Sequence, residues 1–323
     1  MFHASGATAE GGGAIAFPVL TLVFKVSPQA ARDFAVMIQS VGLNSSHMSI
    51  RMMKVIVEEH TLLFCAIGGA AGTVFSLEYL DGLLSPTVKK ISFVSLFFSF
   101  AIALFIVNKE KKRVTFDMIQ SFDVEKCLIL LMTGVVGGLF SGIAGSGLEV
   151  FVFSIIALLF RISEKVVAPT TVSLAGINSA VAFFWRHAIQ QKLDPLAWEY
   201  FLVCIPVVAV FAPLGSMMSS FFHRQTLAVL IYAIETIALV AAFAIILPPL
   251  PIIGMSVGII AGALIFYTIL SRLGSTRYAK KQEGICREGS RTWSRRGSVA
   301  AEKRNSCKSM ELPQLKVAKA SFA

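Results

Sequence analysis

The sequence carries little charge for its length. Only 15% of its 323 residues are Asp, Glu, Lys or Arg, whereas a soluble globular domain carries about 25%. Hydrophobic residues make up 55%, and the mean hydropathy is +0.74. Apolar runs such as Ile91–Val107 and Ile252–Leu270 are long enough to cross a bilayer as helices. Because the alternating pattern of a membrane β-barrel is absent, we predict an all-α polytopic membrane protein.

Several kinds of chemical motif are missing as well. The five cysteines form no Cys-x-x-Cys pair, and the five histidines are scattered along the chain. We therefore expect no disulfide framework, no metal and no cofactor. No nucleophile–base pair stands out, so an enzyme is not expected. The N-terminus has no basic segment before an apolar run, so no standard signal peptide is indicated.

Positive charge is concentrated towards the C-terminus. The net charge is +10, and nearly half of the 29 Lys and Arg follow Ser271. A basic segment beside a membrane helix favours contact with an anionic lipid leaflet over contact with nucleic acid. We predict that residues 272–323 form a disordered cytoplasmic tail. Ser298 follows Arg295 and Arg296 and is a candidate phosphorylation site.

One apolar stretch, Leu128–Phe160, is too long for a single straight crossing. As one helix it would span about 50 Å, and the hydrocarbon core is only about 30 Å thick. Glycine and serine interrupt it at Ser141–Gly147, which predicts two half-length helices joined by a turn inside the membrane. The second half-helix would present free N–H groups to an anion. A glycine kink that serves only helix packing is the alternative.

An internal repeat relates the two halves of the chain. Phe24–Ser27 (FKVS) matches Phe160–Ser163 (FRIS), and Gly42–Ser45 matches Gly176–Ser179. If the broken stretch is a hairpin, most Lys and Arg of the loops fall on the side of the C-terminal tail. This count makes the repeats inverted, as in many secondary transporters. It predicts about eight spans plus half-helices, with the C-terminus in the cytoplasm.

The predicted division of the chain follows from the repeat. Residues 1–108 form a first membrane repeat, 109–126 a charged inner loop, and 127–271 a second repeat with a final span. The first repeat has no counterpart of Leu128–Phe140, so its leading half-helix is expected to be missing from this sequence. The protein is predicted to be an integral multi-pass protein of the plasma membrane or of an internal membrane.

The layout resembles the sulfite exporter TauE/SafE family of membrane permeases. The resemblance rests on AEGGGAIAFPVLTLVFKVSPQAA, on GGLFSGIAGSGLEVF with its following FRIS, and on PTTVSLAGINSAVAF. Ala212–Ser216 is similar to a small-residue patch late in the family's second half. The resemblance covers about residues 6–270 and implies export or uptake of small sulfur-containing or organic anions such as sulfite and sulfonates. The chain departs from the family pattern at Glu10, at Leu148-Glu149 and at Ser154.

Candidate substrate-binding residues offer backbone N–H groups at the glycine turns or neutral donors on the helices that follow. They are Gly11, Gly12, Gly13, Asn44, Ser45, Gly145, Ser146, Gly147, Thr170, Thr171, Asn178 and Ser179. For the Asn and Ser side chains, hydrogen bonding between helices is the alternative. The sequence places no Arg or Lys in the middle of a span, so no fixed cation is expected at the site. Arg186 ends a span and is expected to snorkel towards the surface.

Three carboxylates are candidates for proton coupling. Glu235 lies within an apolar span, and Glu10 and Glu149 flank the glycine turns. Glu235 could instead be protonated and bonded to a neighbouring helix, and the other two could cap helix starts. The leading hypothesis is a proton-coupled secondary transporter whose partners are a small anion and membrane lipids. An anion channel, or a membrane scaffold whose tail recruits partners, is the alternative.

Overall fold

The computed structural model describes residues 17–109, 115–120, 122–219 and 224–293. These residues form ten helical segments and no strand. The segments are α1 (Val19–Val23), α2 (Pro28–Met52), α3 (Glu59–Leu80), α4 (Pro86–Lys109), α5 (Val124–Ala144), α6 (Leu148–Leu159), α7 (Glu164–Ile189), α8 (Pro195–Ser219), α9 (Arg224–Ile246) and α10 (Leu250–Trp293). The predicted all-α fold is confirmed.

Five of these helices are long and apolar enough to cross a membrane. They are α3, α5, α7, α8 and α10. The helix α6 and the Ile231–Ile246 part of α9 are shorter apolar helices. The described part of the chain is therefore that of a polytopic membrane protein, as the sequence predicts.

The apolar stretch before Phe160 is broken where the sequence predicts, but the two pieces are unequal. The helix α5 has 21 residues and is about 31 Å long at 1.5 Å per residue, which is enough for a full crossing. Only α6 is half-length. The prediction of two half-length helices is therefore wrong for the first one, because the helix runs through Gly142 and ends only at Ala144.

The helices α3 and α5 pack with their backbones in contact. Cβ atoms built on Gly68 and Gly72 would clash with the carbonyl oxygens of Leu131 and Val135, and one on Gly138 with that of Gly69. Glycine on both helices is what permits this approach, as in other membrane helix pairs. The two backbones are therefore in direct contact along the part of α5 that leads to the break.

The short helix α6 is surrounded by the largest apolar cluster of the bundle. Leu148, Val150, Val152, Ile156 and Ala157 have no exposed surface. A helix that is apolar on all its faces belongs in an interior. The start of α6 therefore lies inside the bundle rather than at its surface.

The helix directions define two ends of the bundle. We call one end the network end. The start of α2 meets the end of α7 there through a contact of Asp33 with Arg186. The end of α3 lies at the same end, because Gln190, just after α7, contacts Leu77. At the loop end, α2 stops and α3 and α7 begin, and Glu58 contacts Thr170. The segment 115–120 joins the loop end through backbone hydrogen bonds of Phe116 with Arg161 and Ser163.

The predicted repeat is visible in the backbone. A π-helical turn at Val19–Val23 corresponds to one at Ile155–Leu159. Each is followed by a basic residue with positive φ, Lys25 at 55° and Arg161 at 57°. Lys90 on α4 reaches the carbonyl of Thr21 at the network end, whereas Arg161 lies at the loop end. The equivalent turns therefore lie at opposite ends, as an inverted repeat requires.

The last helix differs from the prediction for the tail. The chain divides into two units at Ser271, but α10 continues to Trp293. The predicted tail therefore begins as a helix, which the structure describes as far as Trp293. Glu10, Gly11, Gly12, Gly13 and Ser298 all lie outside the described residues.

Candidate functional site

The break between α5 and α6 is built on two glycines with positive φ. Gly145 ends α5 in the left-handed conformation at φ 83°, and Gly147 precedes α6 at φ 146°. Both values are costly for residues with a Cβ. A Cβ built on Gly145 would also lie 2.9 Å from the carbonyl oxygen of Arg32. The break thus depends on glycine for its conformation and for the close approach of α2.

The start of α6 is capped by its own side chains. The carboxylate of Glu149 accepts hydrogen bonds from the Ser146 hydroxyl and, at 3.1 Å, from the Gly147 N–H. The Leu148 N–H donates to the Ser141 hydroxyl at 3.0 Å. Of the two predicted roles of Glu149, this geometry is that of a helix cap. Two of the backbone donors that the sequence offers to an anion are therefore bonded within the chain.

The helix α2 covers the break from one side. Gln39 donates from Nε2 to the carbonyl oxygen of Gly145 at 3.1 Å and is 2% exposed. The Cγ atom of Arg32 would lie 3.3 Å from a Cβ built on Gly145. A buried amide and a buried guanidinium stem therefore contact the broken backbone directly.

The equivalent Asn-Ser pairs of the two repeats lie close to the crossing of α2 and α7. A Cβ on Gly176 would contact the backbone of Leu43 and Asn44. Asn44 uses Nδ2 to donate to the carbonyls of Ser40, at 2.7 Å, and Gly176, at 2.9 Å. Ser45 donates to Gly42. In the first repeat, these polar groups bond to backbone, which is the packing role considered for them from the sequence.

In the second repeat, the equivalent donors of Asn178 and Ser179 do not bond to backbone carbonyls of the described residues. Asn178 accepts a 3.1 Å hydrogen bond from Thr73 at Oδ1, and its Nδ2 bonds to no group in the described part of the chain. The Ser179 hydroxyl has no hydrogen bond to a described residue either. Both side chains are 4% exposed. A Cβ built on Gly69 of α3 would lie 2.8 Å from Leu148 Cδ2 and 3.2 Å from Asn178 Oδ1, so Asn178 lies beside the start of α6.

The threonines predicted for the site lie closer to the loop end. Thr170 donates to Val166 at 2.6 Å and accepts from the Glu58 N–H at 3.0 Å, and Thr171 donates to Val167 and Ala168. Glu235, on α9, is 1% exposed. The described hydrogen bonds of Thr170 and Thr171 are all to residues near the loop end, so the break does not gather all the residues that the sequence groups together.

A network of buried charges at the network end was missed by sequence reasoning. Its members, hereafter the charge network, are Arg32, Asp33, Asp81, Lys89 and Arg186. Asp33 accepts from Arg32 Nε and Nη2 at 3.1 and 3.0 Å, and from Arg186 Nε and Nη2 at 3.1 and 2.6 Å. Asp81 accepts from Lys89 at 2.6 Å and pairs with Arg32.

The charge network corrects two expectations. Arg186 does not snorkel, because its side chain is 7% exposed and bonded to Asp33. The expected lack of a fixed cation is also wrong, because Arg32 is 1% exposed and lies against Gly145. The sequence signal was an Arg-Asp pair one turn into a helix whose other residues are mostly apolar. Such a pair is costly to bury unless charged partners on other helices pair with it. The sequence does not show which residues these partners are, because the fold brings them together.

The electrostatics of Asp81 reflect the same pairing. This residue lies just after α3. Burial raises the pKa of its carboxyl, but the nearby Arg32 and Lys89 outweigh burial and hold the pKa below its ordinary value. Asp81 is therefore charged at neutral pH and joins α4 to α2.

Within the described residues, no three His, Cys, Asp or Glu side chains come together as metal ligands. Cys65 donates from Sγ to the carbonyl of Leu130 at 3.2 Å and is fully buried. The buried polar groups around the break are thus hydrogen-bond donors and ion pairs.

An all-helical bundle with an inverted repeat, a broken helix and buried charges defines a class, the polytopic membrane transporters. The comparison with protein families agrees: the family described as sulfite exporter TauE/SafE matches residues 4–242. The chain therefore belongs to this family of transporters, and membership implies a membrane transporter of sulfur anions such as sulfite. Neither the curated proteins nor the solved structures gave a match.

Proposed function

We propose that the protein is a secondary transporter of small sulfur-containing or organic anions, with sulfite and sulfonates as its foremost substrates. The observation that carries the proposal is the break at Gly145–Gly147, against which Gln39 and Arg32 pack inside an apolar bundle. Buried polar and charged groups are costly in a membrane protein, and they usually mark a substrate path. Membership in the TauE/SafE family supports the same reading.

The donors that would hold the anion are those without a partner beside the start of α6. We propose that Asn178 Nδ2 and the Ser179 hydroxyl donate to the substrate. The equivalent Asn44 and Ser45 are bonded to backbone carbonyls. Asn44 would keep α2 and α7 together through Gly176, whereas the bond of Ser45 lies within α2. Neutral donors suit an anion that must be bound and then released, because they avoid the strong attraction of an unpaired cation.

Proton coupling is proposed for Glu235. It is buried on α9, and a buried carboxylate in a membrane helix is expected to have a function. Glu149 is the weaker candidate because its carboxylate caps α6. Glu10 lies outside the described residues and stays a prediction.

We further propose that the loop end faces the cytoplasm. Among the described residues, Arg51, Lys54, Arg161 and Lys165 lie at this end. In the sequence, the segment between α4 and α5 adds Lys111, Lys112 and Arg113. Positive charge flanking the spans favours the cytoplasmic side. The basic tail would then face the anionic leaflet.

Flux measurements in proteoliposomes test the proposed transport. Sulfite or methanesulfonate flux by the purified protein should saturate with concentration, and acetate and sulfate serve as competing anions. Asn178→Leu should weaken the apparent affinity about fivefold or more, because it removes a donor worth about 1 kcal/mol. Ser45→Ala, on the equivalent helix, is the matched control and should keep the wild-type affinity. Unitary currents would make the protein a channel, and an unchanged affinity in Asn178→Leu would make this residue a packing element.

The coupling proposal has its own variant. Glu235→Gln should retain exchange of substrate across the membrane but lose the dependence of net flux on a pH gradient. Flux that still follows the pH gradient in this variant would return Glu235 to a structural role.

A further inference from the structure

The charge network does not balance its own charges. It joins three cations, Arg32, Lys89 and Arg186, to two carboxylates, Asp33 and Asp81. All but Asp81 are less than 9% exposed, and the side chain of Asp81 is 15% exposed. Water therefore screens the group poorly. Each of its three cations pairs with a carboxylate, but the group as a whole carries a net charge of +1. One bound anion with a single negative charge would neutralise it.

The contact between Arg186 and Asp33 is of a kind that an oxyanion can replace. Two nitrogens of the guanidinium, Nε and Nη2, each bond a different carboxylate oxygen of Asp33, at 3.1 and 2.6 Å. Bidentate pairing of this kind depends on two oxygens held side by side. A sulfonate or bisulfite group presents such a pair of oxygens and carries one negative charge.

Asp33 would keep a partner if Arg186 were taken from it. Arg32 donates to Asp33 Oδ1 from Nε and Nη2, and the Asp194 N–H donates to Oδ2 at 3.2 Å. Breaking a buried ion pair is strongly destabilising when it leaves a charge unpaired. Here an exchange of anions leaves both Arg186 and Asp33 paired.

An open pocket of about 470 Å³ lies at the network end. It is lined by His187, Ala188, Gln191 and Leu193, which follow Arg186 in the chain, and Arg186 itself is not among the lining residues. Arg186 bonds to the same segment, through Gln190 Oε1 at 2.9 Å and the Lys192 carbonyl at 2.5 Å. A small anion in this pocket would therefore be next to the segment that holds the guanidinium.

We propose that Arg186 is an anion subsite at the mouth of the transport path, at which a monovalent sulfur oxyanion displaces the carboxylate of Asp33. The displacement would release the tie between α2 and α7 and so loosen the network end when substrate is present. This inference rests on the proposed transport function and adds to it a second subsite, separate from Asn178 and Ser179, and a preference for one negative charge.

Calorimetric titration of the full chain in detergent tests the proposal. The probes are methanesulfonate, which is monovalent at all working pH values, and its neutral analogue dimethyl sulfone. Arg186→Gln should weaken methanesulfonate binding about tenfold or more, because the variant lacks the guanidinium whose two nitrogens bind the anion. Asp33→Asn should strengthen binding about tenfold, because the competing charge is gone. A residue with only a structural role would not produce this opposite pair of effects.

Arg51→Gln is the matched control. Arg51 forms the same bidentate contact with Glu59, at 2.6 and 3.0 Å, but at the loop end and at an exposed position. Its loss should leave methanesulfonate binding unchanged. The double variant Asp33→Asn/Arg186→Gln removes both charges together. It should fold, and it should bind methanesulfonate no more tightly than Arg186→Gln does.

The wild-type protein supplies a readout that does not depend on any variant. Methanesulfonate should raise its Tm in a concentration-dependent way, and dimethyl sulfone should not. Equal effects of the two probes, or weaker binding in Asp33→Asn, would overturn the subsite. If sulfite flux saturates and Arg186→Gln keeps wild-type flux and affinity, the proposed subsite is wrong, but the proposed transport function is supported. If Arg186→Gln weakens binding and Asp33→Asn strengthens it but no flux is seen, the subsite is supported and the proposed transport function is wrong.

Discussion

The two ends of the bundle hold their buried carboxylates in different ways. At the network end, Asp33 and Asp81 are paired with cations from three helices. At the loop end, Glu58 is fully buried but accepts a 3.2 Å hydrogen bond from the Ile119 N–H and faces His60 Nδ1 at 2.9 Å. The described contacts of the two aspartates are thus between full charges, whereas those of Glu58 are with a loop segment and a histidine. We expect the network end to be the harder of the two to open.

A difference between two ends has meaning for transport only if the ends face opposite sides of the membrane. We expect all-or-none labelling of single cysteines placed at exposed positions, Lys25→Cys at the network end and Lys165→Cys at the loop end, in a chain without its native cysteines. A membrane-impermeant maleimide added outside intact cells should label the first and not the second, because the repeats are inverted and positive charge stays inside. Permeabilised cells are the control, and labelling of both positions in intact cells would contradict the inverted repeat.

The stability of the network end should depend strongly on Asp33. Asp33→Leu leaves the buried Arg186 unpaired, and we expect a loss of about 3–5 kcal/mol of unfolding free energy. Glu59→Gln breaks an exposed pair at the loop end, and it should cost at most about 1 kcal/mol. Unfolding of both variants in mixed micelles measures the difference, and similar losses would remove the contrast between the ends.

The loop end should respond more modestly. Glu58→Gln replaces a buried carboxylate by an amide, and we expect a loss of about 1–3 kcal/mol as the bond from Ile119 weakens. Hydrogen exchange should rise in residues 115–120, which this bond helps to hold. Asp117→Asn is the control. Asp117 lies in the same loop, and its carboxylate accepts an exposed hydrogen bond from Ser163. Unchanged exchange in Glu58→Gln would mean that the backbone bonds of Phe116 alone hold the loop.

Local patterns were enough to predict much of the fold. The glycine-serine run predicted the break within a few residues, since Gly145 and Gly147 adopt backbone angles that other residues avoid. The match of FKVS with FRIS predicted two equivalent turns, and both have the same backbone geometry. The sequence could not predict the length of α5, because Gly142 permits a break but does not require one.

The candidate site was predicted less completely. Asn178 lies near Leu148, at the start of α6, whereas Thr170 lies nearer the loop end. The role of Glu149 was left between capping and proton coupling, and the hydrogen bonds from Ser146 and Gly147 decide for a cap. Such bonds depend on rotamers and on a turn only three residues long, which a pattern of residue types does not specify.

What the sequence determined by itself was set by short-range physics: apolar length, glycine conformation and the repeat that places equivalent turns in the chain. What only the tertiary structure decided was the pairing of charges. Arg32 and Asp33 are neighbours in sequence, but Asp81, Lys89 and Arg186 reach them from far along the chain. An arginine near a helix end snorkels to the surface unless a carboxylate on another helix pairs with it. For Arg186, the packing of α2 against α7 supplies that carboxylate, Asp33.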